Sequence, residues 1–444
     1  MKSFFKKAIA GVLTVLMVAS CAVPAMAAET AEDVDYVITN PYETVDWENW
    51  NHYKAMLHAH TLYSDASISI SESVEAYYAL GYDILAITDH GVVNQGWDTV
   101  PEMLPLIGYN QYIKNLEPIS AERYAEITNG TDRDGRGMLD VNLGIEMNGV
   151  VMRKNHVNGF FCGYGQGIWG EEEDYETPVA ETEKAGGISF INHPGDFFAA
   201  KNDISRVYDY ENLKVWCNII MTYDSCVGIE VYNEKDTVAK YDRIIWDNIL
   251  MYTIPRGRVV WAFSNDDSHV LSTIGVTAEM FLMPENTNEA LRTAMENGTF
   301  FACSTISKVE MGEDFVGTGD YAIVTNIKID EEKDVISVDI DSTTDYTVEW
   351  IADGEIIAYG DSIDLDDYSD DIRSYVRFQI KNEGGIVLSQ PFVTDSGHME
   401  DYQFELPEDP DYGTLGNMIY NFIMKLKKTL LGELIYRKVA LDNI

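Results

Sequence analysis

Histidine is scarce in this chain, eight among 444 residues, and most of it stands where it could do chemistry. His58 and His60 are two apart beside an apolar stretch, and strand side chains two apart share a face. Asp65 follows them, and Asp89 and His90 close a second apolar run at 84–87. Glu146 follows the run 143–145, and His156 precedes the run 157–162. His193 follows 188–191 within Asn192-His193-Pro194-Gly195, and Asp267 and His269 follow 259–263. The other two histidines, His52 and His398, lack this setting. Imidazoles with carboxylates and no thiolate suit Zn, Mn or Fe without choosing among them. His58, His60, Asp65, His90, Glu146, His156, His193, Asp267 and His269 are more ligands than one ion takes, so two or three divalent ions are expected. Adjacent ions lower the pKa of a shared water enough to give hydroxide near neutral pH. They also neutralise phosphate oxygens as charge moves to a leaving group.

These residues need strand ends to hold them. Residues 54–60 read as a strand. Ser69-Ile70-Ser71-Glu72 has capping-box spacing for a helix over 74–80 that stops at Gly81. Residues 83–88 read as the next strand, so the opening is a β–α–β unit. Further strands precede Glu146, follow His156, and lead to His193, to Tyr232-Asn233 and to Asp267. Helices are expected over 121–127, 179–185, 238–251 and 289–296, the last capped by Asn286. Polar groups at strand ends between alternating helices describe an α/β barrel whose chemistry sits on one face. The excursion 91–139 is expected over the mouth of that face, bringing Arg123, Arg133 and Arg136. Of these, Arg123 and Arg136 are candidates for binding a substrate phosphate. Glu230 reads as a polar residue at a strand end, and Asp89 as a hydrogen-bond partner that orients a ligand histidine.

The ordered series H-x-H, S-D, T-D-H, G-x-E, H, N-H-P-G, D-x-H resembles the PHP (polymerase and histidinol phosphatase) superfamily over about residues 54–303. Gly228-Ile229-Glu230-Val231-Tyr232-Asn233 and Asn297-Gly298-Thr299-Phe300-Phe301 are similar to its late strand and final turn. The resemblance implies a distorted (β/α)7 barrel and a metal-dependent phosphoric ester hydrolase. It implies that His58 and His60 bind one metal, completed by Asp267, with Glu146 bridging to a second held by His156 and His193. Asp65, His90 and His269 would serve a third. Catalysis is then expected to depend on Glu146, Asp267 and His193. Asp65, where other members carry His, points to small phosphate monoesters or nucleotides as substrates. A 5′-3′ exonuclease on short oligonucleotides, a non-phosphate metallohydrolase such as an amidase, and a non-catalytic metal-containing surface binding protein are the alternatives.

Net charge and termini narrow the setting. The formal charge is −43, which disfavours a basic nucleic-acid-binding surface and long polyanionic partners. Residues 1–27 read as an export signal: Lys2, Lys6 and Lys7, then an apolar run at 8–19 that is short for a membrane span. Ala25-Met26-Ala27 is a cleavage site that leaves Ala28 first. Val18-Ala19-Ser20-Cys21 also fits a lipoprotein box with Cys21 acylated, so a secreted or cell-surface protein is expected. The remaining cysteines, Cys162, Cys217, Cys226 and Cys303, are scattered and read as buried thiols. An acidic lead-in occupies 28–50 and the barrel 51–303. Alternating short strands without helices then predict a small all-β sandwich over 304–396. After an acidic linker at 397–412, residues 413–444 form a basic amphipathic pattern. It suits either peripheral membrane contact or packing on protein. Oligomeric state is not legible.

Overall fold

The computed structural model describes residues 34–101, 116–148, 155–167, 175–197, 200, 203–407 and 418. Residues 1–27, expected to be an export signal, with Cys21 and, Met418 apart, the basic tail lie outside them. A short strand β1 (Val37–Thr39) opens the described chain, followed by β2 (Asn51–Met56). Ser69 caps helix α1 (Ile70–Ala79) through a complete capping box with Glu72, as the spacing predicts. Strand β3 (Ile84–Leu85) pairs parallel with β2 and with β4 (Leu139–Asp140).

Between β3 and β4 the excursion leaves from the mouth, where Gly91 bonds Glu146, and its later described part, from residue 121 to β4, runs along the barrel flank instead of over the mouth. Helix α2 (Ala121–Asn129) is capped by Ser120. The turn after it meets Asp83, at the start of β3 and remote from His90. Residues 102–115 lie outside the described residues.

The chain kinks at Leu143 (φ +58°) into β5 (Ile145–Met147). Strand β6 (Val157–Phe160) runs antiparallel to β5 and to the next strand, β7 (Ile188–Ile191), which follows helix α3 (Glu176–Lys184). Helix α4 (Tyr210–Thr222), which the sequence pattern did not announce, leads to β8 (Cys226–Asn233). Helix α5 (Asp242–Thr253) then leads to β9 (Trp261–Asn265). Strands β7, β8 and β9 are parallel.

The ring closes only at the mouth. The Asp267 N–H donates to the His58 carbonyl at 3.0 Å and the His60 N–H to Ser268 at 3.1 Å, joining the ends of β9 and β2. On the other side the Gly91 N–H donates to the Glu146 carbonyl at 2.9 Å, joining the end of β3 to β5. Strands β2, β3, β5, β6, β7, β8 and β9 therefore form a distorted seven-stranded barrel, with β6 reversed. Its interior away from the mouth is filled by Phe160, Phe190, Phe263, Phe281 and Phe300, with Phe190 and Phe263 stacked at 4.4 Å between centroids. Burying such rings contributes the main stabilisation of the barrel floor.

Two antiparallel strands, β10 (Thr277–Met283) and β11 (Phe300–Ser304), flank helix α6 (Asn288–Asn297). Thr287 caps this helix in place of the expected Asn286, whose amide donates to the Asp83 carbonyl instead. The sheet-rich region follows as β12 (Ile323–Asp330), β13 (Val335–Asp341), β14 (Thr347–Ala352), β15 (Glu355–Tyr359) and β16 (Ser362–Asp364). It ends with β17 (Tyr375–Asn382), β18 (Gly385–Leu388) and β19 (Phe392–Asp395). The layer β12-β13-β16 packs Ile327, Ile336 and Val338 into the same core as Trp350, Val376 and Phe378 of the larger sheet. The larger sheet is continuous with the barrel, because β11 pairs with both β10 and β18. The lead-in belongs to this layer too: β1 pairs with β19. Among the described residues no helix is long and apolar enough to cross a membrane.

Candidate metal centre

Each strand that reaches the mouth delivers one or two polar side chains there. His58 and His60 follow β2, and His90 follows β3. Glu146 lies in β5, and His193 and Asp267 follow β7 and β9. His156 precedes its strand, and the reversed β6 explains why: its N-terminal end lies at the face where its neighbours end. One strand step deeper, the inward positions Asn192 and Asn265 are buried amides, and below them come Phe190 and Phe263.

Glu146 is the hub. Its Oε1 lies 3.0 Å from His156 Nδ1, 3.4 Å from His58 Nε2 and 3.6 Å from His193 Nε2. Its Oε2 lies 2.9 Å from His90 Nδ1 and 3.1 Å from His60 Nε2. Asp267 Oδ1 stands 3.1 Å from His60 Nε2 and 3.3 Å from His58 Nε2. Asp65 is 3.2 Å from His269 Nε2, 3.6 Å from His90 Nε2 and 3.7 Å from His60 Nδ1. All nine expected ligand side chains thus form one contiguous cluster, and His52 and His398 are elsewhere. His52 bonds the Val324 carbonyl, and His398 is exposed.

Four overlapping ligand sets emerge among the described residues, each with its atoms within 4.8 Å of one another; the fourth, at the edge, is Glu234, Asp267 and His269, and the other three form the buried cluster. One is His58, His60, Glu146 and Asp267; a second is His90, Glu146 and His156; a third is His60, Asp65, His90 and His269. The first matches the expected grouping. The third adds His60 to the expected trio. In the second, His90 takes the place expected for His193, which faces Glu146 and, at 3.9 Å, Asp267.

The donor set fits divalent ions on the geometry of its own atoms. His58 Nε2 and His60 Nε2 face each other at 3.1 Å. Glu146 Oε2, Asp267 Oδ1 and His90 Nδ1 are buried without a hydrogen-bond partner, although carboxylate and ring nitrogens stand close by. Buried polar atoms are rarely left so, and lone pairs converging without hydrogen-bond alignment are what a cation between them requires.

The charges follow. Burial would raise the Glu146 carboxyl, but His156, His90 and His58 outweigh it and hold it well below the usual carboxylate range. Burial would lower His58, but Asp267, Glu230 and Glu146 hold it well above the ordinary imidazole value. His193 is held up at about 9 against burial by Glu146 and Asp267, whereas burial pushes His156 down to about 4.

Residues behind the ligands fix their orientation. Glu230, read from sequence as a strand-end polar residue, is fully buried, and its Oε1 lies 2.7 Å from His58 Nδ1. That contact turns His58 Nε2 into the cluster. Its Oε2 accepts the His193 N–H at 2.9 Å, and Asn265 and Asn233 donate to the same carboxylate. The signal in the sequence was an ionisable residue inside an apolar run, where burial demands partners. Asn192 donates to Glu146 Oε1 at 2.7 Å. Asp89 orients no ring directly; it accepts from the Thr61 N–H at 2.8 Å and from the Thr61 and Ser64 hydroxyls, shaping the loop that carries His60 and Asp65. Asp266 faces away and anchors the turn at Gly275, Val276 and Thr277, whereas Asp267 faces the cluster. His193 and Asp267 both have positive φ, +26° and +44°, the kind of strain stored at functional sites. Gly195 must lack a side chain here, because a Cβ would fall 2.1 Å from Asp242 Oδ1.

The two candidate phosphate-binding arginines are corrected by the structure. Arg123 is held by Glu75 at 2.7 Å, by Glu126 and by Asp132. Arg136 closes on Asp83 and the His52 carbonyl, at the strand starts opposite the mouth. Neither guanidinium is free to meet a phosphate at the cluster, because buried or clustered carboxylates claim it first. Cys162, Cys217, Cys226 and Cys303 are buried free thiols, as expected.

Residues 56–247 match the PHP domain family, so this stretch is a PHP domain. No curated protein matches the sequence. Among solved structures, one similar chain is a two-domain protein from Bacteroides vulgatus containing a predicted PHP-like metal-dependent phosphoesterase. It shares 14% identity over 79% of this chain and 88% of that chain, with a TM-score of 0.39. An amidohydrolase from Chromobacterium violaceum shares 16% identity, covering 48% and 87% of the two chains, with a TM-score of 0.27. The lesion-specific endonuclease PfuEndoQ from Pyrococcus furiosus shares 14% identity, covering 55% and 56%, with a TM-score of 0.31. These likenesses are too loose to carry an inference about activity.

Proposed function

We propose that this chain is a metal-dependent phosphoric ester hydrolase acting on small phosphate monoesters or nucleotides. The observation that carries the reading is the convergence on Glu146 of His58, His60, His90, His156 and His193, with Asp65, Asp267 and His269 completing the shell. Divalent ions held there would supply an activated water and neutralise phosphate charge. The protein's own part is to keep the ligands fixed. Glu146 stays ionised among the histidines and spans the first two ligand sets. Glu230 sets the His58 ring and the His193 backbone, and the Asp89 loop places His60 and Asp65. The phenylalanine floor closes the barrel beneath, so water and substrate meet the cluster from the mouth. With Arg123 and Arg136 engaged elsewhere, neutralising a phosphate falls to the bound cations.

The test is elemental analysis of residues 28–444 beside a phosphatase, nucleotide and oligonucleotide panel, with and without chelator. Two or three ions per chain and chelator-sensitive phosphate release are expected, with Glu146→Ala folded, depleted of metal and inactive. A folded wild-type protein that binds no divalent ion would sink the reading. Metal without phosphate release would move the substrate to amides or the protein to a binding role. Turnover of oligonucleotides alone would favour the exonuclease alternative.

A further inference from the structure

Where the sandwich meets the barrel there is a cavity of about 430 Å3. Tyr208 and Tyr210 at the start of α4 and Asn248 of α5 line its barrel side. Asp353 in the β14–β15 turn and Glu355 of β15 line the sandwich side, with Asp370, Asp371 and Arg373 ahead of β17. Phe404 adds an apolar wall. The β14–β15 turn abuts α5: a Cβ on Gly354 would fall 3.5 Å from Asp247 Cβ.

What this lining offers a ligand is one-sided. It carries four carboxylates and one guanidinium, and Arg373 is already 3.4 Å from Asp353. Among the described residues no cation pairs with Glu355, Asp370 or Asp371. Asn248 is 7% exposed and its amide donates to the Val207 carbonyl at 2.7 Å, which leaves its Oδ1, met by no described donor, to the cavity. Asp353 Oδ1 is buried without a hydrogen-bond partner. Burial, with Asp247 and Asp371 adding to it, pushes the Asp353 carboxyl up to about 6 in spite of Arg373. Tyr208 and Tyr210 are 55% and 45% exposed, and Tyr210 stacks on Phe404 at 4.8 Å between centroids. The cavity therefore presents acceptors and aromatic faces and few donors.

We propose that this cavity binds a linear polyamine, its ammonium groups on Asn248 Oδ1 and the carboxylates of Asp353, Glu355 and Asp371, its methylenes along Tyr208 and Tyr210. A neutral sugar needs donors from its site as well as acceptors, and this lining has few. An inorganic cation needs ligand atoms drawn together. Among the described residues no three carboxylates of this lining bring ligand atoms within 4.8 Å of one another. Aromatic faces beside carboxylates suit an organic cation instead. The volume is that of a small-molecule site, and such sites favour the seams between domains. None of the nine metal ligands takes part, so the inference stands apart from the metal-dependent reading.

The experiment titrates spermidine into residues 28–444 by calorimetry in about 0.15 M salt, where attraction to the net charge of −43 is screened beyond about 8 Å. One saturable site is expected. Tyr208→Ala and Asp371→Asn should each weaken it about tenfold, the size of one partly desolvated cation–aromatic or charged contact. Glu331→Gln, which removes an exposed carboxylate outside the cavity, should leave it unchanged. All three side chains are exposed, and thermal melts check that the variants fold; Glu355→Gln gives the same reading if one melts early. Equal weakening by Glu331→Gln and Asp371→Asn would overturn the site by reducing it to diffuse attraction. So would a Tyr208→Ala that binds as the wild type does, or a wild type with no saturable binding. Displacement of spermidine by equimolar Mg2+ would overturn it by giving the cavity to an inorganic cation.

Discussion

At the scale of single residues, the centre depends on groups that never need to touch a substrate. Glu230 is the main one, because its carboxylate fixes both the His58 ring and the His193 backbone. Replacing it by glutamine keeps the shape and removes the charge. Glu230→Gln is expected to weaken metal binding by about 10–100-fold, read by competition with a chromogenic chelator, while the protein stays folded. Unchanged affinity would show that His58 needs no such partner. The pH behaviour follows from the histidines. A ligand imidazole must be neutral. His193, which the resemblance makes a ligand and which is held up at about 9, would have to lose a proton to bind metal near neutral pH. Metal affinity should therefore rise with pH from neutrality toward 9. The metal-free fold should do the opposite. A group whose folded pKa lies above its unfolded value, about 6.5 for histidine, stabilises fully below 6.5 and stops doing so as pH rises through 9. His156, pushed down to about 4, is neutral across that window and contributes no slope there. Thermal melts with chelator between pH 6.5 and 9 should fall. A flat or rising profile would contradict the assignment of a protonated His193 in the metal-free state.

At the scale of elements, the strand ends at the mouth do chemistry and the strand starts hold the barrel together. Asp83 at the start of β3 is fully buried and receives Arg133, Arg136 and the Lys54 N–H. Arg136→Ala should leave kcat/KM and metal content unchanged and cost about 1 kcal/mol of stability, the modest figure reflecting a half-exposed guanidinium whose pair water screens. Activity lost in proportion to phosphate binding would restore the phosphate role that the geometry removes. The reversal of β6 is the other decision at this scale. It lets a histidine that precedes its strand join histidines and carboxylates that end theirs.

At the scale of the whole molecule, barrel and sandwich share hydrogen bonds, buried charge and core. Arg377 of β17 makes a bidentate pair with Asp247 of α5 at 2.8 and 2.7 Å, and Tyr375 donates to the same carboxylate at 2.8 Å. Gln390 imitates a strand by bonding both the N–H and the carbonyl of Ala262 in β9. Arg377→Met strands the buried Asp247 carboxylate, and losing one partner of such a pair costs ~3–5 kcal/mol. The expected readout is a lower denaturant midpoint at constant slope, partly restored by adding Asp247→Asn. A loss below about 1 kcal/mol would mean that the two halves are only loosely coupled, since typical single substitutions already reach that size.

Much of the site is legible in the sequence because ligand chemistry is local in its residue types. His58-Ala59-His60 on a strand end, Asp89-His90, Asn192-His193 and Asp267-x-His269 each state their chemistry within a few residues. The Ser69–Glu72 capping box and the alternation of Ile336 and Val338 with Ser337 and Asp339 are equally local, and they correctly predict α1 and β13. Long-range placement was not legible. Arg123 and Arg136 looked available until folding brought Glu75 and Asp83 to them. Glu230 looked incidental until burial forced it onto His58. Arg377 and Gln379 alternate with apolar neighbours as if facing water, yet both are buried, Arg377 against α5. The sequence alone determined which residues could bind metal and the class of strand and helix that carries them. The tertiary structure alone decided which charges pair, because pairing depends on distance across the fold, and distance along the chain carries no record of it.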